Sequence, residues 1–258
     1  VQVARHTDRP ASSEYIAALF SEYTPLAGDR LFQEDHAIIG GLARFHDQAC
    51  VVMGHEKGKD IPSRMKHNFG MPRPEGYRKA QRLMQLAEQF RLPLFSFIDT
   101  PGAYPGKGAE ERGQAEAIAR AMQIGLGLQV PYIVTIIGEG GSGGAIAIAC
   151  GDKILMLEHA IYSVISAEGC ASILWRDSEH VQQAAQAMRI TAQDLQEFGI
   201  IDEIIPEPLG GAHRDPKVIF EQLDHRLQAA LDSFEGVEPA LIASRRADKF
   251  MAMGRAHS

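Results

Sequence analysis

The chain has 258 residues, 45% hydrophobic and 23% charged, enough to bury a sizeable core without disulfides or metals and too apolar for disorder over most of its length. Its formal net charge of -7 argues against nucleic acid as an obligatory partner, although Lys57, Lys59, Arg64 and Lys66 form a local basic patch. Cys50, Cys150 and Cys170 are odd in number and lack C-x-x-C spacing. No apolar run reaches the length of a membrane span, and the first residues lack the order of a signal peptide. A soluble, cytoplasmic protein with reduced thiols is expected. The chain opens on Val1 rather than Met, so its natural N-terminus is expected to lie upstream.

Ser12 is positioned to cap a first helix over 12–20, after which a polar stretch leads to Gly28, Asp29 and Arg30. Two β-rich runs, 38–45 and 49–54, joined around His46 and Asp47, predict a hairpin. Residues 61–74 are rich in proline and basic residues and are expected to be loop. Over 75–90, Ala80, Leu83, Met84 and Ala87 fall at i, i+3, i+4, i+7 and predict a helix.

The middle of the chain repeats itself. Leu92-Pro93, an apolar run over 94–98 and a close at Asp99-Thr100-Pro101-Gly102 are followed 38 positions later by Val130-Pro131, an apolar run over 132–137 and a close at Gly138-Glu139-Gly140. A helical stretch carrying Ala115, Ile118, Ala119 and Met122 lies between them, and a third apolar run, 154–157, follows a short helix over 144–149. Continuous apolar runs separated by helices predict parallel strands covered on both faces, and the repeat predicts stacked strand-and-helix turns. Helices are predicted over 167–175, 181–188, 192–198 and 216–234, with a short strand over 203–205. The tail after Ser244 is expected to be mobile towards its end, and the whole chain, 1–258, reads as one domain.

The run from Gly138 to Gly144 stands between an apolar strand and a helix start, where bare backbone N–H groups can face an anion. It fits G-x-G-x-x-G at Gly138, Gly140 and Gly143, with Glu158 twenty residues on, as a dinucleotide site requires. It also fits G-x-S-x-G, with Ser142 as nucleophile and Asp202 and His213 following in hydrolase order. A third possibility is that the glycines only permit a tight turn and close packing. The helix behind the loop is short for a dinucleotide crossover, and His213 lies in a Pro- and Gly-rich stretch. The earlier loop, Thr100-Pro101-Gly102-Ala103-Tyr104-Pro105-Gly106, holds the equivalent place after the preceding strand, so two sets of backbone donors could serve one developing oxyanion.

Longer strings are more specific. Asn68-Phe69-Gly70-Met71-Pro72, the run 97–106, the glycine loop, and the segments 162–166, 168–175 and 205–213 together resemble the alpha subunits of bacterial acetyl-CoA carboxylase carboxyltransferases. Gly28-Asp29-Arg30, Ile38-Ile39-Gly40-Gly41 and Gly54-His55-Glu56-Lys57-Gly58 are weaker matches in the same order, so the resemblance runs nearly end to end. It implies an α/β fold of the crotonase (ClpP/crotonase-like) type, a superhelix of β-β-α turns with C-terminal helices. The implied activity is transfer of a carboxyl group from carboxybiotin to acetyl-CoA, giving malonyl-CoA, the first committed step of fatty acid synthesis.

The implied cofactor is biotin, carried as carboxybiotin on a separate biotin carboxyl carrier protein and charged by a biotin carboxylase. The implied partner is a homologous beta subunit in an α2β2 heterotetramer, without which the chain is inactive. In this family the beta subunit bears a zinc ribbon and faces the CoA thioester. The present chain has no four-cysteine set and no implied metal, which fits alpha. The reaction builds negative charge on the ureido oxygen and on the thioester enolate. Neutral N–H groups can stabilise both, and the biotin nitrogen can serve as proton acceptor, so no side-chain base is required. Carried over residue by residue, Gly143 and Gly144 are the donors to the ureido oxygen, and Gly102, Ala103, Gly140, Gly141 and Ser142 line the carboxybiotin pocket. Glu139 and Glu168 are read as carboxylates that order the loop rather than as acids or bases. Family members usually carry a helical extension ahead of the segment matching Val1 to His6. It is absent here, and a trimmed or shortened form is expected.

Overall fold

The computed structural model describes residues 1–176 and 179–254. Helix α1 spans Ser12–Leu19, and its cap is Ala11, whose N–H is accepted by the Glu14 carboxylate at 2.8 Å. Ser12 is therefore the first helical residue and not the cap, and its hydroxyl is buried without a hydrogen-bond partner among the described residues. Strand β1 (Ser21–Pro25) follows in what reads as polar connection. It is short and exposed, it lies antiparallel at the sheet edge, and it ends in proline, which only an edge strand tolerates. Strands β2 (Ile38–Phe45) and β3 (Gln48–His55) form the expected hairpin. His46 and Asp47 both take positive φ, 45° and 62°, which matches the twist of the two strands.

The expected loop over 61–74 instead contains helix α2 (Ile61–Lys66) and a 3-10 turn at Asn68–Gly70. Asp60 caps α2 by accepting the Ser63 N–H at 2.7 Å, and Pro62 sits in the first turn, where its missing N–H costs nothing. Helix α3 (Pro74–Phe90) lays Ala80, Leu83, Met84 and Ala87 on the sheet as the spacing predicts. Then come β4 (Leu94–Thr100), α4 (Lys107–Glu111), α5 (Gln114–Gly127), β5 (Tyr132–Gly141), α6 (Ser142–Ile146), β6 (Lys153–Leu157) and β7 (Ile161–Ser163). Helices α7 (Ala167–Leu174), α8 (Val181–Met188) and α9 (Ala192–Glu197), strand β8 (Glu203–Ile205), and helices α10 (Pro216–Asp232) and α11 (Pro239–Ala252) complete the order.

Eight strands among the described residues form one sheet in the order β1-β2-β3-β4-β5-β6-β8, parallel from β3 onward, with β7 pairing the end of β5. The 38-residue repeat is the ladder register itself, since Leu94 pairs with Tyr132 and Phe95 with Ile133. All ten positions of β5 are buried, as expected of a central parallel strand covered on both faces.

The polar tail is not loose up to Ala252. In α11 the Arg246 side chain is fully buried and donates to the carbonyls of Gly125, Leu128 and Val130 and to Asp152 Oδ2. Those carbonyls belong to the end of α5 and the turn after it, where helical C=O groups lack partners and a cation is favoured. Residues 255–258 lie outside the described residues. No helix among the described residues is long and apolar enough to cross a membrane.

Candidate active site at two strand-to-helix loops

Strands β4 and β5 are parallel neighbours, so the loops that leave their ends lie side by side. The ladder shifts register between Ile98 and Thr100, and Thr100 then pairs with Gly140. This brings the segment 100–103 against 140–144. A Cβ on Gly141 would lie 2.3 Å from the Pro101 carbonyl oxygen, and one on Gly144 would lie 2.5 Å from the Ala103 nitrogen. Glycine at both places is a requirement of backbone contact.

The glycine run is divided. Gly138 to Gly141 stay in β5, where Glu139, Gly140 and Gly141 pair with Ile161, Tyr162 and Ser163 of β7. At Ser142 the chain turns into α6 with φ of 53°. No side chain caps α6, and as first-turn residues of a helix Gly143 and Gly144 have N–H groups without an acceptor inside that helix. Gly143 is half-exposed, and a Cβ added there would meet only Ile118 methyl carbons, at 3.7 and 3.9 Å.

Ser142 and Gly143 lie at the wall of a cleft of about 730 Å3, whose other walls include Ile146, Tyr162, Ile165 and Phe198. Gly140, Gly141 and Gly144 are buried behind that wall, and Gly102 and Ala103 are half-buried against Gly144. The Gly102 N–H is already donated to Thr100 Oγ1 at 3.0 Å, and that hydroxyl donates back to the Gly102 carbonyl at 2.9 Å. Gly102 thus shapes the loop and its N–H is engaged.

A charged network stands under the loop. Asp99 Oδ1 accepts the Glu139 N–H at 2.9 Å and pairs with Lys57 Nζ at 2.6 Å. Glu139, itself nearly buried, is gripped by Arg5 Nε and Nη2 at 2.9 and 2.6 Å, and Arg5 Nη1 reaches Glu168 at 2.7 Å. Hydrogen bonding from Arg5 holds the Glu168 carboxyl below its usual range, against the effect of burial. Both glutamates therefore order the loop, as read from the sequence. The sequence does not single out Arg5 or Asp99, because Arg5 is separated from Glu139 by 134 positions and from Glu168 by 163. Lys57 stands out in the sequence as one member of a basic patch and within the weaker family match over 54–58, with no role attached.

Neither short-motif reading survives. Asp202 accepts the Ile154 N–H at 2.7 Å and is held by Lys249 at the opening of β6. That is the other end of the sheet from Ser142, roughly 25 Å away along β5. His213 is stacked on His6 with ring centroids 3.9 Å apart. Ser142 thus has neither partner of a triad. For a dinucleotide, α6 is only five residues long, and Glu158 is engaged in accepting the Glu207 N–H at 2.9 Å.

The family of acetyl co-enzyme A carboxylase carboxyltransferase-like proteins matches residues 1–254. The chain belongs to this family. It is 60% identical over 253 residues to the acetyl-coenzyme A carboxylase carboxyl transferase subunit alpha of Paracoccus denitrificans (strain Pd 1222), covering 98% of this chain and 80% of that protein. The protein of the same name from Paramagnetospirillum magneticum (strain ATCC 700264 / AMB-1) is 56% identical over 255 residues, covering 99% and 80%. Among solved structures, the transcarboxylase 12S core superposes with a TM-score of 0.71 at 18% identity, over 88% of this chain and 42% of that longer chain. A Pseudomonas malonate decarboxylase heterotetramer in complex with coenzyme A gives 0.68 at 15%, over 84% and 87%. At such identities the likeness is one of fold, and the carboxyltransferase family member has the crotonase-like fold expected from its sequence. Among its described residues no cluster of three or more His, Cys, Asp or Glu is arranged to hold a metal ion.

Proposed function

We infer that this chain is the alpha half of an acetyl-CoA carboxylase carboxyltransferase, and that it moves a carboxyl group from carboxybiotin on a biotin carboxyl carrier protein to acetyl-CoA, forming malonyl-CoA. The observation that carries the site is the placing of Gly143, a half-exposed first-turn residue of α6, at the wall of an apolar cleft, on a loop with no free carboxylate among Glu139, Asp99 and Glu168. Biotin fits such a place, since its apolar bicycle suits walls of Ile146, Tyr162, Ile165 and Phe198 while its ureido oxygen suits an N–H donor. Bound there, carboxybiotin supplies the carboxyl group.

The chain's own residues do the rest. Gly143 and Gly144 donate to the oxygen on which negative charge develops, and because they are neutral they stabilise it without fixing a counter-ion. The Arg5, Glu139, Asp99 and Lys57 network holds the peptide planes before that charge appears, and the apolar walls keep water from the transferred group. Gly140 and Gly141 keep the strand end thin enough for Tyr162 and the 101–103 backbone to approach, and Gly102 and Ala103 buttress Gly144. Ser142 supplies the turn.

The same reading treats residues 1–258 as one carboxyltransferase domain, paired with a beta subunit in an α2β2 complex that carries the acyl-CoA site, and served by a biotin carboxylase. Three free cysteines among the described residues are in keeping with a cytoplasmic setting. The test is co-expression with a beta subunit and a carboxylation assay on acetyl-CoA and propionyl-CoA. The chain alone should be inactive, because it holds one of the two reacting groups. Malonyl-CoA formation by a preparation free of beta subunit would overturn the reading. For the donor, glycolic acid in place of Gly143 deletes the N–H and adds no atoms, and it should slow turnover by about two to three orders of magnitude.

A further inference from the structure

His55 is the last residue of β3, paired with Ile38 across the hairpin, and its side chain is wholly buried. The backbone on either side is fixed: Gly54 pairs with Phe97, and the Glu56 N–H donates to the Ala37 carbonyl at 2.9 Å. Yet among the described residues neither ring nitrogen has a well-formed hydrogen-bond partner. A buried imidazole left in that state costs free energy unless something nearby can take its N–H.

The polar backbone groups that the ring faces are the carbonyls of Gly144 and Phe97, and the charges of Asp99 and Lys57 act on it. Phe97 lies within the β3–β4–β5 ladder, where sheet N–H groups serve its backbone. Gly144 is different. In the single turn of α6 the Ala147 N–H goes to the Gly143 carbonyl and the Ile148 N–H to the Ala145 carbonyl, so among the described residues no backbone N–H serves the Gly144 carbonyl between them. A buried imidazole donor and a carbonyl that its own helix leaves unserved thus face each other in a dry interior. Burial lowers the imidazole to about 4, so the ring is neutral at working pH and has one N–H to give.

We propose that His55 is a positioning residue for the glycine loop: its ring N–H donates to the Gly144 carbonyl, fixes the first turn of α6, and so aims the Gly143 N–H into the cleft. This rests on the reading of Gly143 as an oxyanion donor. His55 never touches substrate, because it has no exposed surface. It acts through the turn rather than through the donor's own peptide, since the Gly144 carbonyl lies two peptide planes beyond the Gly143 N–H, and a neutral donor serves here because a buried cation beside the loop would oppose the Lys57–Asp99 pair.

The experiment compares His55→Leu, which fills the space without a donor, with His55→Gln, which keeps one, both assembled with the beta subunit. His55→Leu should lower kcat by about tenfold to a hundredfold, as misaimed catalytic groups do, while the KM for acetyl-CoA stays within about twofold. His55→Gln should recover to within about threefold of the parent. In the unaltered complex, 15N-labelled imidazole should show a neutral ring in a single tautomer between about pH 6 and 8, with a shift when free biotin is added. Unchanged kcat in His55→Leu, or a glutamine no better than leucine, overturns the proposal. If the leucine variant does not assemble, a ring that averages both tautomers in the unaltered complex overturns it equally. If glycolic acid at position 143 leaves turnover intact, the donor reading itself is wrong. If that ester is slow and His55→Leu is fast, only the role of His55 falls.

Discussion

The Cα of Gly144 rests against the main-chain nitrogen of Ala103, so that a single methyl group added at Gly144 would stand 2.5 Å from that nitrogen and 2.6 Å from the Gly102 carbonyl carbon. This contact locks the loop after β4 to the loop after β5 and sets the first turn of α6. Neither partner can yield as a side chain would, because both are backbone.

Gly144→Ala should therefore force the loops apart, at a cost of about 1 to 3 kcal/mol, and abolish most turnover. Gly143→Ala should behave oppositely, since its added methyl meets Ile118 at 3.7 Å in ordinary contact, and alanine in a helix is about 0.5 to 1 kcal/mol better than glycine. Thermal unfolding and assay of the two assembled variants decide the matter. Equal stability for both would show that the loops are not locked at Gly144. Proline at Gly144 carries its ring into the same backbone, which is why an ester at Gly143 is the cleaner probe of N–H donation.

How much of this was legible depended on range. The strands β4, β5 and β6 and the hairpin announce themselves through local apolar runs and turn residues, and the 38-residue repeat even contains the β4–β5 register. Strand β1 does not, because Ser21 to Pro25 are exposed and only pairing with β2 makes them a strand. Helix α2 was hidden because its basic residues and Pro62 read as loop, while the Asp60–Ser63 cap that starts it is a two-residue signal. Strand β5 runs four residues beyond its apolar core, through Gly138 to Gly141, because β7 supplies a pairing partner that no local pattern foretold. At the site, the loop glycines were visible as a string, and their resemblance to a family gave them roles. The residues around them, Arg5, His55, Lys57 and Asp99, come from other strands, the segment after β3 and the N-terminal segment, and only the folded chain brings them together.

Ser142 tests whether the loop is a nucleophile elbow. It is exposed and has positive φ, but the Asp202 and His213 of the short motif are engaged elsewhere. Ser142→Ala in the assembled enzyme should keep turnover within about threefold, because serine and alanine bear similar strain at that φ. A serine-directed phosphonate should not label the protein. Loss of about a thousandfold together with stoichiometric labelling would restore the hydrolase reading.

Arg246 tests the tail. Its guanidinium ties α11 to the end of α5 and to Asp152, all in a dry interior. Arg246→Met leaves the Asp152 carboxylate buried without its guanidinium and should cost about 3 to 5 kcal/mol in urea unfolding. Arg246→Lys should recover little, since one ammonium cannot reach several carbonyls in a fixed fork. An Arg246→Met variant as stable as the parent would mean that α11 is an ornament to the fold.

The dependence of stability on pH should separate two buried groups. Burial lowers His55 from 6.5 to about 4, partly offset by Asp99 and the Gly144 carbonyl, so between those values the unfolded chain takes up a proton that the folded chain refuses. Its contribution is full above pH 6.5 and is lost as pH falls towards 4, by roughly 3 kcal/mol in total. Glu207 works lower down. Burial pushes its carboxyl up, but Arg9 at 2.8 Å and the N–H groups of His159 and Ala212 outweigh that and hold it below 4.5. Its stabilisation is present above pH 4.5 and is lost as pH falls beneath it. Urea midpoints measured from neutral pH downward should therefore drop in two stages. His55→Gln should flatten the upper stage, leaving the smaller slope from His36 and His213, whose pKa values burial also lowers. Glu207→Gln should be less stable than the parent at neutral pH, and the gap should close as the medium is acidified below 4.5. A His55→Gln profile parallel to the parent's above pH 4.5 would mean that the imidazole already takes up its proton in the folded protein. It would then donate from both nitrogens, and the Gly144 and Phe97 carbonyls would both be served.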